Sequence, residues 1–286
     1  MASLTPPAGV DITRPNVARM YDYYLGGKEN YPADREAAEK VIAAAPQTPA
    51  VARANRAFLR RAVRYMAAHA GIGQFIDIGC GLPTQGNVHQ VAQAARADAK
   101  VAYVDNDPVV LAHARALLAT DEQTVVVEGD LLDPEAVLSA PELTGLIDLD
   151  RPVGLLFIAV LHCVADDDAL LKAVGRFYQA LAPGSHVAIS HITLPPESSG
   201  HLEAARQGRQ VYDDAPVNTS MTFRDRDRLM ALFGDLEPVE PGLVELPDWH
   251  PELETAPQGP APVPLGGQPE RLPAFFLCGV ARKGEA

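Results

Sequence analysis

The sequence predicts an α/β fold: a mostly parallel sheet with helices on both faces, preceded by a helical N-terminal extension. Three observations carry this prediction. Between residues 75 and 192, short apolar runs alternate with amphipathic helical stretches, as parallel strands joined by crossover helices must. The strand-like runs, such as Val125-Val126-Val127 and residues 154–160, are apolar almost throughout, as strands covered on both faces are. Residues 14–69 carry apolar side chains at three- and four-residue spacing instead.

Taken in order, residues 1–12 read as a loose tail, with Pro6, Pro7 and Gly9 and no periodicity. A first helix is expected from Arg14, with Pro15 at its first position and Gly26-Gly27 as its stop. Val17, Met20, Tyr21 and Tyr24 form its apolar face. A second is expected over 34–44, ended by Pro46. A third is expected over 50–69, with Val51, Ala54, Phe58, Ala62, Tyr65 and Met66 on one face. This divides the chain into a helical cap, 1–70, and a sheet domain, 71–286.

The sheet domain begins with a strand at 75–78 that runs into Gly79-Cys80-Gly81. A helix over 88–96, capped by Asn87, follows. Strands are expected at 101–104, 125–127, 154–160 and 186–192. Helices are expected at 108–118, capped by Asp107 with Pro108 first, at 134–139, and at 168–181, closed by Pro183-Gly184. Residues 195–221 are polar, with a helix over 199–211, and suit a lid or an insertion. A helix over 222–233 with Thr222 as cap and closing strands at 239–246 and 275–280 complete the chain. The six prolines and three glycines of 255–273 mark a long surface connection.

Composition narrows the function. A chain of 286 residues makes one large domain, or one with a small cap. No run of 18 apolar residues and no basic-then-apolar N-terminus is present, so neither a membrane span nor a secretory leader is expected. Cys80, Cys163 and Cys278 are odd in number and widely spaced, which argues against disulfides and a metal site and for a reducing cytoplasm. The net charge of −13 disfavours a nucleic-acid partner. Yet residues 1–70 hold ten Lys and Arg against six Asp and Glu, while the rest holds 14 against 31. Either the cap packs on an acidic body, or some of its arginines face an anionic ligand group.

Asp77-Ile78-Gly79-Cys80-Gly81 joins a strand to a helix, and glycine there lets a ligand approach the backbone. Nucleotides bind at this turn in doubly wound sheets. The second strand ends in Asp105-Asn106-Asp107, where an acid can accept both ribose hydroxyls. The third is followed by Glu128-Gly129-Asp130-Leu131, where an acid and a backbone N–H can pair with an adenine. Each acid alone could be a helix cap or a solvated loop residue. NAD(P) prefers a third glycine, and that position holds Thr84, after Pro83 and before Gln85-Gly86. S-adenosylmethionine has no phosphate to place, and Asp77 suits its ammonium group.

Phe75 to Gly81, Tyr103 to Pro108, Glu128 to Asp130 and Phe157 to Val164 resemble the successive motifs of class I S-adenosylmethionine-dependent methyltransferases. The stretches from Arg14-Pro15-Asn16-Val17 to Leu25-Gly26-Gly27, Asn55-Arg56-Ala57-Phe58, Gly81-Leu82-Pro83-Thr84 and Leu181-Ala182-Pro183-Gly184-Ser185 resemble a bacterial family of S-adenosyl methyltransferases of unassigned substrate. The resemblance spans residues 14–282. It implies a Rossmann-like fold with a helical N-terminal extension, and S-adenosyl-L-methionine as cofactor. Asp77, Gly79, Cys80, Gly81, Asp105, Asn106, Asp130, Leu131 and Ala159 are then the expected cofactor-binding residues.

Methyl transfer needs an aligned acceptor and sometimes a base. His162, after the fourth strand, can serve as that base or pack beneath the cofactor; His191, ending the fifth, is a second candidate. Asp166 to Asp168 suit a helix cap, and His89 a structural role. Tyr21, with Tyr23 and Tyr24, Arg19 and Asn16, can close an aromatic wall over a ligand and offer a hydroxyl, or form a packing stripe. Gly26-Gly27 could hinge the cap. The expected acceptor is a small molecule. The alternatives are a non-catalytic S-adenosylmethionine sensor and an NAD(P)-dependent oxidoreductase.

Overall fold

The computed structural model describes residues 11–83, 86–118, 122–195, 197–214, 217, 219, 221–254 and 275–285. The position of Thr84 and Gln85, most of the 1–12 tail and the proline-rich connection 255–273 lie outside the described residues, as does part of 195–221.

Three helices open the chain: α1 (Val17–Tyr24), α2 (Pro32–Ala44) and α3 (Thr48–Arg64), the last widening into a π turn over Tyr65–His69. Pro15 stands outside α1, because Asn16 is the cap: its side chain accepts from the Arg19 N–H. Arg19 and Asp34, both buried, form an ion pair of 2.8 Å between α1 and α2. Asp34 also accepts from the Asn16 and Tyr31 N–H groups, so its buried charge is fully partnered.

The sheet domain then runs β1 (Gln74–Ile78), α4 (Val88–Ala95), β2 (Lys100–Asp105), α5 (Pro108–Leu118), β3 (Thr124–Glu128), α6 (Pro134–Ser139), α7 (Pro141–Leu146), β4 (Gly154–Ile158), α8 (Asp167–Ala180) and β5 (His186–Ile192). It ends with α9 (Leu202–Asp214), α10 (Arg226–Ala231), β6 (Glu237–Pro238), β7 (Val244–Glu245) and β8 (Phe276–Arg282). The strand order is β3-β2-β1-β4-β5-β8-β6, with β7 also on β8. The first five strands are parallel, and β8 is antiparallel to β5. Strand order reverses between β1 and β4, and such a switch point opens a crevice at the carboxyl ends of the strands.

Three expectations change. The fourth strand ends at Ile158, not at Val160: Ala159 turns into left-handed backbone (φ 56°), and its N–H, shared between the Ser190 carbonyl and hydroxyl, makes the last bond to β5. The helix expected from Thr222 starts at Arg226 with Asp225 as cap. Residues 222–225 stay outside the helix, and the Thr222 N–H donates to the His162 carbonyl. Of the strand expected over 239–246 only β7 remains, with β6 just before it, because a turn closed by the Gly242 N–H on the Val239 carbonyl interrupts the run.

The core lies on both sheet faces. Phe58, Ala62 and Met66 of α3 share one apolar cluster with Phe75, Val101 and Leu156 of the sheet. Phe58 meets Trp249 edge-on at 5.4 Å, and buried Arg61 donates to the Trp249 and Leu246 carbonyls, so α3 is fastened to the segment before β8. Met20, Tyr24, Ala38 and Val41 form a separate cluster between α1 and α2, against which Val211 and Tyr212 of α9 pack. The cap therefore closes onto α9 over the sheet's carboxyl rim.

Candidate active site

Parallel register brings the strand tips together. Ile78 pairs with Val104, and Asp105 with Glu128, so Gly79, Asp105 and Asp130 lie at one rim on adjacent strands. All nine residues expected to bind cofactor line one cavity of about 440 Å³. Tyr21 and His162 line it too.

Gly79 and Gly81 both adopt left-handed backbone, φ 68° and 64°. The Gly79 and Cys80 N–H groups donate to the Val104 carbonyl, at 2.8 and 3.2 Å, which folds the turn over β2. A Cβ at Gly79 would lie 2.3 Å from Val160 Cγ2. Gly79→Ala is expected to cost about 2 kcal/mol or more, from overpacking plus a left-handed alanine. Gly145→Ala, in open space on α7, is expected to be neutral or stabilising. Thermal melts of the two variants make the comparison, and equal melting points would contradict it.

Asp105 accepts from the Gly81 N–H at 3.0 Å and the Asp107 N–H at 2.9 Å, tying the first turn to the second. Burial raises its carboxyl, and these N–H bonds oppose that rise. Asp107 caps α5 through the Val109 N–H, as expected, and also accepts from the Asn16 side chain, which latches the cap to this rim. Asp77 is almost wholly buried and forms no hydrogen bond among the described residues. Burial pushes its carboxyl up to about 7; the Arg56 charge opposes this, and Asp105 adds to it. Asp130 is exposed and accepts from the Leu132 N–H, while the Leu131 side chain is buried.

His162 stands on a 3₁₀ turn, Leu161–Cys163, after the left-handed step at Ala159. Its buried ring meets His191 and Phe276 edge-on, at 5.4 and 5.8 Å. Burial, with the charges of His191 and Arg224, holds it well below the ordinary histidine range, so it is neutral. His191 is not part of the cavity wall. Its Nδ1 lies 2.7 Å from the Ile192 carbonyl and its Nε2 3.0 Å from Arg224. With Nδ1 donating and Nε2 accepting, neither nitrogen is left for an acceptor. The Tyr21 hydroxyl is similarly committed: it accepts from Asn55 and donates to the Ala52 carbonyl. Tyr21 thus lines the cavity with its hydroxyl partnered on both sides.

The sequence reading did not single out Arg56 of α3 or Tyr212 of α9, both on the cavity wall. The Arg56 Nε is buried and has no partner among the described residues. The basic balance of the N-terminal segment hinted at such an arginine without saying which.

The donor set fits S-adenosylmethionine. Among the described residues it holds one arginine with a buried, unpartnered nitrogen, one buried carboxyl group without a hydrogen bond, one turn of bare glycine backbone and a tethered acid at the next strand end. Residues 3–284 match the model of the S-adenosyl methyltransferase family. A protein from Thermobifida fusca described as a candidate methyltransferase is 36% identical, with a TM-score of 0.85 over 99% of this chain and 100% of its own. A DUF574-family protein from Streptomyces avermitilis is 38% identical, with a TM-score of 0.83 over 96% of this chain and 99% of its own. No curated protein matches. A family match from end to end, on a mostly parallel sheet whose strand tips carry this donor set, places the chain in the S-adenosyl methyltransferase family: it is an S-adenosylmethionine-dependent methyltransferase.

Proposed function

We propose that the cavity holds S-adenosylmethionine along the tips of β1 to β4 and a small-molecule acceptor under the cap. One observation carries this reading: Asp77, Gly79, Asp105 and Asp130, spread over 54 positions of sequence, line a single crevice at the switch point. When bound, the cofactor supplies a methyl group already activated on a sulfonium sulfur. Asp105 accepts from the ribose hydroxyls. Asp130 and the Leu131 N–H read the adenine. Asp77 faces the methionine ammonium and Arg56 its carboxylate, a division that puts each charge against its opposite. The bare turn of Gly79 to Gly81 and the left-handed Ala159 let the chain approach closely.

His162, neutral and on the cavity wall, takes the acceptor's proton as the methyl is transferred. Tyr21 and Tyr24 exclude water. Among the described residues no helix is long and apolar enough to cross a membrane, and the three cysteines are free, which suits a cytoplasmic enzyme.

Calorimetry with S-adenosylhomocysteine tests the pose. For any acceptor that is turned over, His162→Ala is expected to slow product formation about 100-fold, with cofactor affinity within twofold of the parent. A rate unchanged in that variant would remove His162 from the chemistry.

A further inference from the structure

The acceptor half of the cavity has a composition of its own. It is built by α1, α2, α9 and the segments around Met221 and Phe275, away from the strand tips. Tyr24, Tyr212, Met221, Phe223 and Phe275 give it aromatic and soft apolar walls. Its charged groups are already spent. The Asp22 carboxylate accepts from the Glu29 N–H at 2.9 Å and the Asn30 amide at 2.8 Å. Arg209 lies over the Phe223 ring and 3.5 Å from Asp213. The other ionisable groups are held neutral by burial: Tyr24 is raised well above the ordinary tyrosine range, and Tyr212 and Cys163 are each pushed up to about 12. Among the described residues each of these charged groups has a neighbour of its own, Asp22 its two donors and Arg209 the Phe223 ring and Asp213.

A chamber of that kind penalises a charged ligand, which would lose its hydration and meet no counter-charge. It rewards ring faces, which stack on aromatic walls. Besides the buried amide oxygen of Asn55 on α3, which has no partner among the described residues, two polar handles line this half. One is the neutral His162 imidazole at the rim. The other is the hydroxyl pair of Tyr24 and Tyr212, 2.8 Å apart, linking α1 to α9. A carboxylic acid or an aliphatic amine would arrive charged at neutral pH; an aromatic hydroxyl would not.

Building on the cofactor pose above, we propose that the acceptor is an uncharged aromatic hydroxyl compound, bound between the Tyr24–Tyr212 pair and His162. In the transfer the hydroxyl oxygen forms the new bond to the methyl carbon as the carbon–sulfur bond breaks. The bonding pair stays on sulfur, and the hydroxyl proton passes to His162.

The experiment is a matched ligand series on the full chain saturated with S-adenosylhomocysteine. 2-Naphthol, 2-naphthoate and 2-naphthylmethylammonium are titrated by calorimetry at neutral pH. The naphthol is expected to bind at least tenfold more tightly than either charged analogue. With S-adenosylmethionine it is expected to yield the methyl ether, read by mass spectrometry. Gly208→Leu, whose side chain would rise from α9 against Ala45 at the chamber wall, is expected to weaken naphthol at least tenfold and S-adenosylhomocysteine less than twofold. No naphthol binding, or equal binding of a charged analogue, overturns the chamber assignment while leaving the cofactor pose intact. Failure of S-adenosylhomocysteine itself to bind overturns both.

Discussion

Asp105→Ala is expected to weaken S-adenosylhomocysteine binding by at least ~100-fold, since charge-assisted hydrogen bonds to two hydroxyls are lost together. The structure adds a second reason. Asp105 also holds the glycine turn through the Gly81 N–H and its own loop through the Asp107 N–H. Asparagine at this position would therefore not be a conservative exchange. Both carboxylate oxygens face backbone donors, so an amide must set its own NH₂ against one of them. Asp105→Asn is expected to fall close to alanine, not halfway. Calorimetry on both variants, with circular dichroism melts to verify folding, makes the comparison; an alanine variant of parental affinity would refute the ribose assignment.

Asp77→Asn is expected to stabilise the ligand-free protein while weakening its cofactor. In the unfolded chain this carboxyl ionises near the ordinary aspartate value of 3.8, and in the fold at about 7. Between those values the folded protein keeps a proton that the unfolded chain releases. Asp77 therefore costs stability increasingly as pH rises through that window, and the cost levels off above about 7. Asparagine removes the cost. The melting temperature is expected to rise by about 2 °C or more at pH 8 and to be unchanged near pH 4. Cofactor binding has the opposite preference, because an ammonium beside Asp77 favours the carboxylate. Parental affinity is expected to climb with pH up to about 7 and then flatten, and that climb to be absent in Asp77→Asn. A variant that melts with the parent at pH 8, or binds as tightly, would contradict this trade between stability and affinity.

Asn16 bridges the cap and the acidic rim: its side chain caps α1 and donates to Asp107, while its N–H goes to Asp34.

The parallel sheet was legible because fully apolar strands between amphipathic helices leave a strong local pattern. The placement of Gly79, Asp105 and Asp130 was legible for a topological reason. Parallel strands joined by crossover helices must end at the same rim, so residues that end successive strands meet whatever the details of packing. Asn87, Asp107 and Asp166 were readable as caps, since a cap and its donors are two or three residues apart. Only the tertiary structure decided the rest. Tyr24 and Tyr212 meet across 188 positions, and Arg224 consumes His191 across 33, contacts that leave no periodic trace in the chain. The same holds for Arg56, whose orphaned guanidinium nitrogen acquires meaning only when α3 is laid against the β1 tip. Local backbone preference wrote the elements and their ends into the sequence. Which charges are spent and which are free depended on packing between elements distant in the chain.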